Sequence, residues 1–487
     1  MTVPFQQIPN NLLTPGTYIE YDSSRAVQGL AVLPNRALLV GARLAAGTVA
    51  ENTLAQVLSP SDAVTMFGRG SQLAQMAAKY KLPNESTELW AIASDVTGTA
   101  ATKTITFGGA ATAAGTLHFL VQGVPVDVAI ADGDDDDAAA AAVDAAFGDL
   151  EADWGITFAA ALNVVTGTAR HAAAFSEDID IQLNYYDRQL LDMPPGLTVV
   201  IADGVAGATN PSQDDMIAAL GDEWFTTVVL GFYDATSIAS WETEAARRIG
   251  ALVQQDMQLF AGHRGAHADH VTLGDGRNSE HTCIIAAGPS SPHAPWQWAA
   301  AFAAVSNSIP DPATPRQNQR VLGILPSLRS DRFDRSERQL LLEAGIGTYL
   351  TDNAGAVYIE RLPTTYKTSA GVPDTAYRNL ETMLTNLAFR YTARVMFQTR
   401  YPNHKLAGDD ANYGVGQRVI TPKVARGELL MLARQWELNA WLEDYAAFKA
   451  SLVVERNASD PDRLDWQMSP NHVNQARVIA GQIQFIV

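Results

Sequence analysis

The sequence predicts a mixed α/β (α+β), multi-domain protein: an α/β core with a β-rich inserted domain and extended strand arms at both ends. Three observations lead there. Short apolar runs that close on glycine, at 37–41 and 227–231, stand among helical segments, as buried parallel strands do in βαβ units. Between about 96 and 185 the text turns rich in Ala, Thr and Gly, with strand patterns at short spacing. The two ends are apolar but not helical: Pro4, Pro9 and Pro15 break the first, and Gly481-Gln482-Ile483-Gln484-Phe485-Ile486-Val487 alternates with period two.

Composition narrows the class. At 487 residues the chain can bury several cores, and 47% hydrophobic with 18% charged residues is the balance of a folded protein. No apolar run approaches the roughly 18 residues that span a bilayer, and the N-terminus lacks the basic start and apolar core of a signal peptide. The expectation is a soluble protein made in a cytoplasm. A single cysteine, Cys283, excludes an internal disulfide. The net charge of −19 argues against nucleic-acid partners and against membrane insertion. Residues 331–487 hold 18 Lys+Arg and 18 Asp+Glu, so the whole deficit sits in residues 1–330, with 16 against 35. A neutral C-terminal part behind an acidic N-terminal part points to different surroundings for the two.

Taken in order, residues 1–24 read as an extended arm, apolar at Phe5, Ile8, Leu12 and Leu13, with Tyr18 and Ile19 in an alternating stretch after the Pro15-Gly16 turn. The α/β domain is expected over 25–95 and 186–350. It has strands at 37–41, 88–93, 197–202 and 227–231, helices after Ser61-Asp62 and over 71–81, 214–220, 241–260 and 296–305, and strand and loop over 262–287. The β-rich domain over 96–185 has strands at 103–107, 115–122, 124–131 and 179–184, with Gly123 in a tight turn. The run Asp132-Gly133-Asp134-Asp135-Asp136-Asp137 lacks the spacing and closing glutamate of a calcium loop and reads as the acidic first turn of a helix. A helix is expected around 331–346 and a hairpin over 348–362. The C-terminal domain over 351–480 carries helices at 375–401 and, capped by Thr421 and Pro422, at 421–452. The strand arm is 481–487, which must pair either in its own sheet or in a neighbour's.

Little in the text carries chemistry. There is no glycine-rich phosphate loop, no GxSxG, no HExxH and no CxxC pair. The strongest metal-like grouping is His263, His267, Asp269 and His270 with His281 beyond, three imidazoles and a carboxylate that zinc or iron accepts. His263 and His267 stand four apart, but the text between and around them is that of a Gly/Ala loop and not of a helix. No nucleophile, base and oxyanion hole assemble. The expectation is no catalytic residue, no cofactor and no metal, hence not an enzyme.

A series of segments resembles the tail sheath proteins of contractile bacteriophages, in their Mu-like branch. They are Phe5-Gln6-Gln7-Ile8-Pro9, Pro15-Gly16-Thr17-Tyr18-Ile19-Glu20, Asn184-Tyr185-Tyr186, Leu220-Gly221-Asp222-Glu223, Arg277-Asn278-Ser279-Glu280-His281, Arg361-Leu362-Pro363-Thr364-Thr365-Tyr366, His404-Lys405-Leu406-Ala407 and Val454-Glu455-Arg456-Asn457 through Asp462-Arg463-Leu464-Asp465. The resemblance implies hexameric rings stacked helically around a tail tube, linked by exchange of N- and C-terminal strands, that shorten to drive the tube through a host envelope. It implies the tail tube, baseplate and tail terminator proteins as partners, and a place in the virion tail, with the host cytoplasm during assembly. Phe5, Ile8, Tyr18, Ile19, Ile483, Phe485 and Val487 are then the inter-subunit arm residues, and the neutral C-terminal part, with Arg426 and Arg434, is expected to face the tube. Two alternatives remain open: the sheath of a tailocin or other contractile injection system, and a metal-dependent α/β enzyme using the 263–281 histidines.

Overall fold

The computed structural model describes residues 13–19, 30–148, 150–410, 413–414 and 416–486. The chain forms two compact units, one of residues 34–383 and one joining 1–33 to 384–487. Counted over these units the charge separation is sharper: 34–383 holds 21 Lys+Arg and 41 Asp+Glu, a net of −20, and the rest holds 13 and 12.

The 34–383 unit is built on a nine-stranded sheet. Its centre is six parallel strands in the spatial order Ile346–Thr351, Thr282–Ala287, Gln258–Arg264, Thr227–Leu230, Arg36–Ala42 and Glu88–Ser94. These are the continuous apolar runs, and they are continuous because both faces are covered: Ala37 to Val40 and Thr227 to Leu230 are buried throughout. Helix Pro295–Asn307 lies over the sheet, with Trp298 and Phe302 fully buried. Antiparallel strands close the edges, Leu54–Gln56 on one side, Val357–Arg361 then Arg320–Val321 on the other. Ile346–Thr351 and Val357–Arg361 form one hairpin, so a domain boundary at 350 would cut a paired ladder.

Two local expectations change. The helix expected over 241–260 is Ala235–Ile249, because the Asp234 carboxylate accepts the Thr236 and Ser237 N–H groups at its start and Gly250 ends it. Phe260 lies in strand Gln258–Arg264 instead. Ser59 caps helix Pro60–Phe67, in a reciprocal box with Asp62.

The insertion leaves the large sheet after Ser94. It holds a four-stranded sheet (Leu197–Asp203, Thr102–Gly109, Val164–Ala169, Ile156–Ala161) and a three-stranded one (Val124–Ile130, Gly115–Val121, Ile181–Leu183). Helix Asp136–Gly148 packs against them. Phe147 sits at their centre, edge-on to Phe119, Trp154 and Phe158 with centroids 5.3, 5.5 and 4.7 Å away. Gln122 and Gly123, with φ of +50° and +76°, make the two-residue turn between Gly115–Val121 and Val124–Ile130. The acidic run caps: Asp134 accepts the Ala131 N–H and Asp135 the Ala138 N–H. Leu197–Asp203 pairs with Thr102–Gly109 over seven residues, so the inserted sheet recruits chain well beyond 185, and 197–203 is no part of the large sheet.

In the unit of 1–33 and 384–487, helix Leu380–Arg400 packs on Pro422–Leu438 through Phe389, Ala393, Leu429, Leu432 and Trp436. The single helix expected over 421–452 is two helices. Pro422–Leu438 stops at Asn439, Ala440 turns left-handed (φ 55°), and Asp444 (φ 56°) caps Tyr445–Ser451 through the Ala447 N–H. The break lets Trp441 turn back, its N–H bonding to the Trp436 carbonyl, while Phe448 still reaches the core.

Candidate assembly surfaces

Residues 481–486 join no described strand of their own chain. After Val473, whose N–H donates to the Trp441 carbonyl at 3.2 Å, the backbone runs on with no strand. Ile483 and Phe485 are 92% and 82% exposed. Among the described residues 481–486 form no strand; Val487 lies outside the described residues. The alternation is also incomplete, because Val478 and Ile486, out of phase with Ile483 and Phe485, are exposed apolar residues as well. At the other end Leu13 and Ile19 are largely exposed and Tyr18 about half, its hydroxyl donating to Thr14. Residues 13–19 form no strand, and Phe5 and Ile8 lie outside the described residues.

Within the same unit stands a candidate acceptor, which sequence reasoning read only as a strand-like run and a loop. Val453–Arg456 and Leu464–Gln467 pair antiparallel as an isolated two-stranded ladder. A two-stranded ladder leaves one row of backbone donors and acceptors open on each side. Val453 and Trp466 are 50% and 40% exposed on it. The loop between is rigid: the Asn457 side chain accepts the Ser459 and Asp460 N–H groups and donates to Asp465.

Arg426 and Arg434 share helix Pro422–Leu438 but have different surroundings. The Arg426 guanidinium donates to the Lys449 and Leu452 carbonyls, closing the end of helix Tyr445–Ser451. Arg434 pairs with Glu437 at 2.6 Å and lies over the Tyr445 ring at 3.5 Å, its side chain more than half exposed. Only Arg434 presents its charge outward.

The histidine stretch is strand, turn and helix, not loop: His263 is the penultimate residue of strand Gln258–Arg264, and His267 and His270 lie on helix His267–Asp275. The rings engage each other and the backbone. His270 Nε2 bonds the Ala287 carbonyl at 3.0 Å, the His263 and His270 Nδ1 atoms share a hydrogen bond of 3.0 Å, and His267 Nε2 meets the Glu337 carbonyl. Burial lowers the pKa of both rings, that of His270 to about 3, which favours their neutral forms, and their facing nitrogens are used by the shared hydrogen bond. His281 is buried apart, at the start of Thr282–Ala287. Among the described residues no three His, Cys, Asp or Glu side chains are grouped to hold a metal ion.

Residues 206–365 match the phage tail sheath protein central domain, and residues 372–486 match the phage tail sheath C-terminal domain. The Mu-like prophage FluMu tail sheath protein of Haemophilus influenzae is 35% identical over 498 residues, with all of both chains covered. The chain belongs to the phage tail sheath family. Solved structures agree in fold at low identity. The sheath tail protein of Listeria innocua aligns with TM-score 0.50 and 12% identity over 92% of this chain and 93% of its own. The contracted PVC sheath of an extracellular contractile injection system aligns with TM-score 0.50 and 9% identity over 97% of each chain. The central-domain match takes in Thr227–Leu230 through Val357–Arg361 of the large sheet. The C-terminal match takes in the helix pair, the two-stranded ladder and the C-terminal stretch to 486. The insertion precedes both matched regions.

Proposed function

We propose that this chain is the subunit of a contractile tail sheath, in which six copies form a ring and rings stack helically around a tail tube. The observation that carries the inter-subunit part is the stretch 481–486, whose Ile483 and Phe485 are exposed and whose backbone joins no sheet among the described residues. In the assembly it adds as a strand to the open edge of Val453–Arg456 or Leu464–Gln467 in a neighbouring copy, and the N-terminal arm does the same at another junction. Head-to-tail contacts of this kind generate rings and helical filaments, not closed dimers. Main-chain hydrogen bonds in the added strands persist while the compact units rotate about the arms, so the subunits stay linked as the sheath shortens.

The work of contraction comes from improved subunit contacts released from a kinetically held extended state, without catalysis or a nucleotide. The acidic 34–383 unit faces outward and the near-neutral unit faces the tube, where Arg434 offers an exposed charge. Baseplate and terminator proteins engage the two ends of the polymer, in the virion tail and, during assembly, in the host cytoplasm. Deletion of Gln482–Val487 tests the linkage: the truncated chain is expected to stay folded and monomeric by circular dichroism and sedimentation. Sheath tubes of normal length in negative stain from that chain would overturn it.

A further inference from the structure

Beside strand Ile346–Thr351 a cavity of about 130 Å³ is lined by Ala286, Arg332, Phe333, Arg338, Tyr349 and Thr351. Arg332 is only partly exposed and is held by its neighbours, Nε donating to the Ser327 carbonyl at 2.9 Å and Nη1 to Thr351 Oγ1 at 3.1 Å. Among the described residues no carboxylate pairs with it. Arg338 is held by Glu360 at 2.9 Å and by the Phe333 carbonyl. Two guanidinium groups therefore face one carboxylate, leaving a net positive charge in a recess of a unit whose net charge is −20. The Tyr349 hydroxyl, on a residue 7% exposed, lies beside the buried Ser327 hydroxyl, and neither oxygen makes a hydrogen bond of ordinary geometry. The Trp298 ring, 4.8 Å away, keeps the phenol in place.

A buried hydroxyl with no well-formed hydrogen bond and a recessed cation without a counterion each cost free energy, and one bound group relieves both. We propose that this cavity binds a small oxyanion, a phosphate or carboxylate group, between Arg332, Arg338 and the Tyr349 hydroxyl. Its size suits such a group: a water molecule takes ~30 Å³ in the liquid, so the space holds about four waters or one tetrahedral anion. Fixed guanidinium donors bind carboxylate and phosphate oxygens more strongly than neutral donors do. The inference stands apart from the assembly reading, since the cavity lies wholly within the 34–383 unit.

The test is calorimetric titration of the full-length chain with inorganic phosphate in chloride buffer at constant ionic strength. Saturable binding is expected, weakened tenfold or more in Arg332→Gln and several-fold in Tyr349→Phe, which keeps the ring and the fold. No saturable heat, or equal binding by both folded variants, overturns the proposal. Assembly in phosphate against chloride then separates the sources. A raised concentration for tube formation identifies the occupant in the polymer as a carboxylate of another copy, and unchanged assembly with phosphate bound identifies a free anion.

Discussion

Replacing Ile483 and Phe485 together by alanine isolates the apolar face of the donated strand while leaving the backbone able to pair. Both side chains are exposed in the single chain, at 92% and 82%, so the monomer is expected to lose within about 0.5 kcal/mol. In the polymer each would be buried, and full burial of an isoleucine or phenylalanine side chain is worth about 1.5–3 kcal/mol. Taking about 2 kcal/mol each, a junction loses about 4 kcal/mol, close to a thousandfold in its equilibrium constant at 1.4 kcal/mol per factor of ten. Sedimentation velocity across a concentration series reads this directly as the concentration at which polymer appears. Gln482→Ala with Gln484→Ala, on the opposite face, is the matched control and is expected to shift that concentration by no more than about threefold. If the apolar pair assembles at the wild-type concentration, or the glutamine pair costs as much, the strand is not donated through this face.

Three further outcomes are expected. His118 lies between Asp127 (2.6 Å) and Asp192 (3.2 Å), and these carboxylates raise its pKa above the ordinary value. The stabilisation is therefore full below the ordinary histidine pKa of ~6.5 and is lost as pH rises through the raised one. His118→Gln should lower the melting temperature at pH 6 and have a smaller effect at pH 9; an equal effect at both would refute it. Trp436 is fully buried against Phe389 with its indole N–H on Thr392 Oγ1 at 3.0 Å, so Trp436→Ala should cost about 3–5 kcal/mol in urea unfolding, and a loss below about 1 kcal/mol would contradict this packing. Purified protein should carry no stoichiometric zinc or iron, and His270→Ala should leave that metal content unchanged; stoichiometric metal by plasma emission would revive the enzyme reading.

Periodicity and glycine punctuation were enough to place the α/β core, the β-rich insertion and the main C-terminal helices, because these depend on local burial patterns a linear chain displays. Ala37 to Val40 and Val228 to Leu230 are apolar at every position, and only strands covered on both faces tolerate that. Partners were not legible. That Leu197–Asp203 completes the inserted sheet, and that 346–361 is one hairpin of the large sheet, follows from long-range pairing, and a β pattern names no partner. The break at 439–444 was hidden because the apolar spacing of Trp436, Trp441, Tyr445 and Phe448 continues across it; left-handed turns at Ala440 and Asp444 decide it. The histidines look like ligands in one dimension, yet in three His263 and His270 bond each other, His267 and His270 bond the backbone, and His281 is buried apart. For the C-terminal stretch, sequence alone determined an extended apolar segment. Tertiary structure decided that its own fold offers 481–486 no sheet, because the core closes without it and leaves its hydrogen-bonding groups and side chains in solvent.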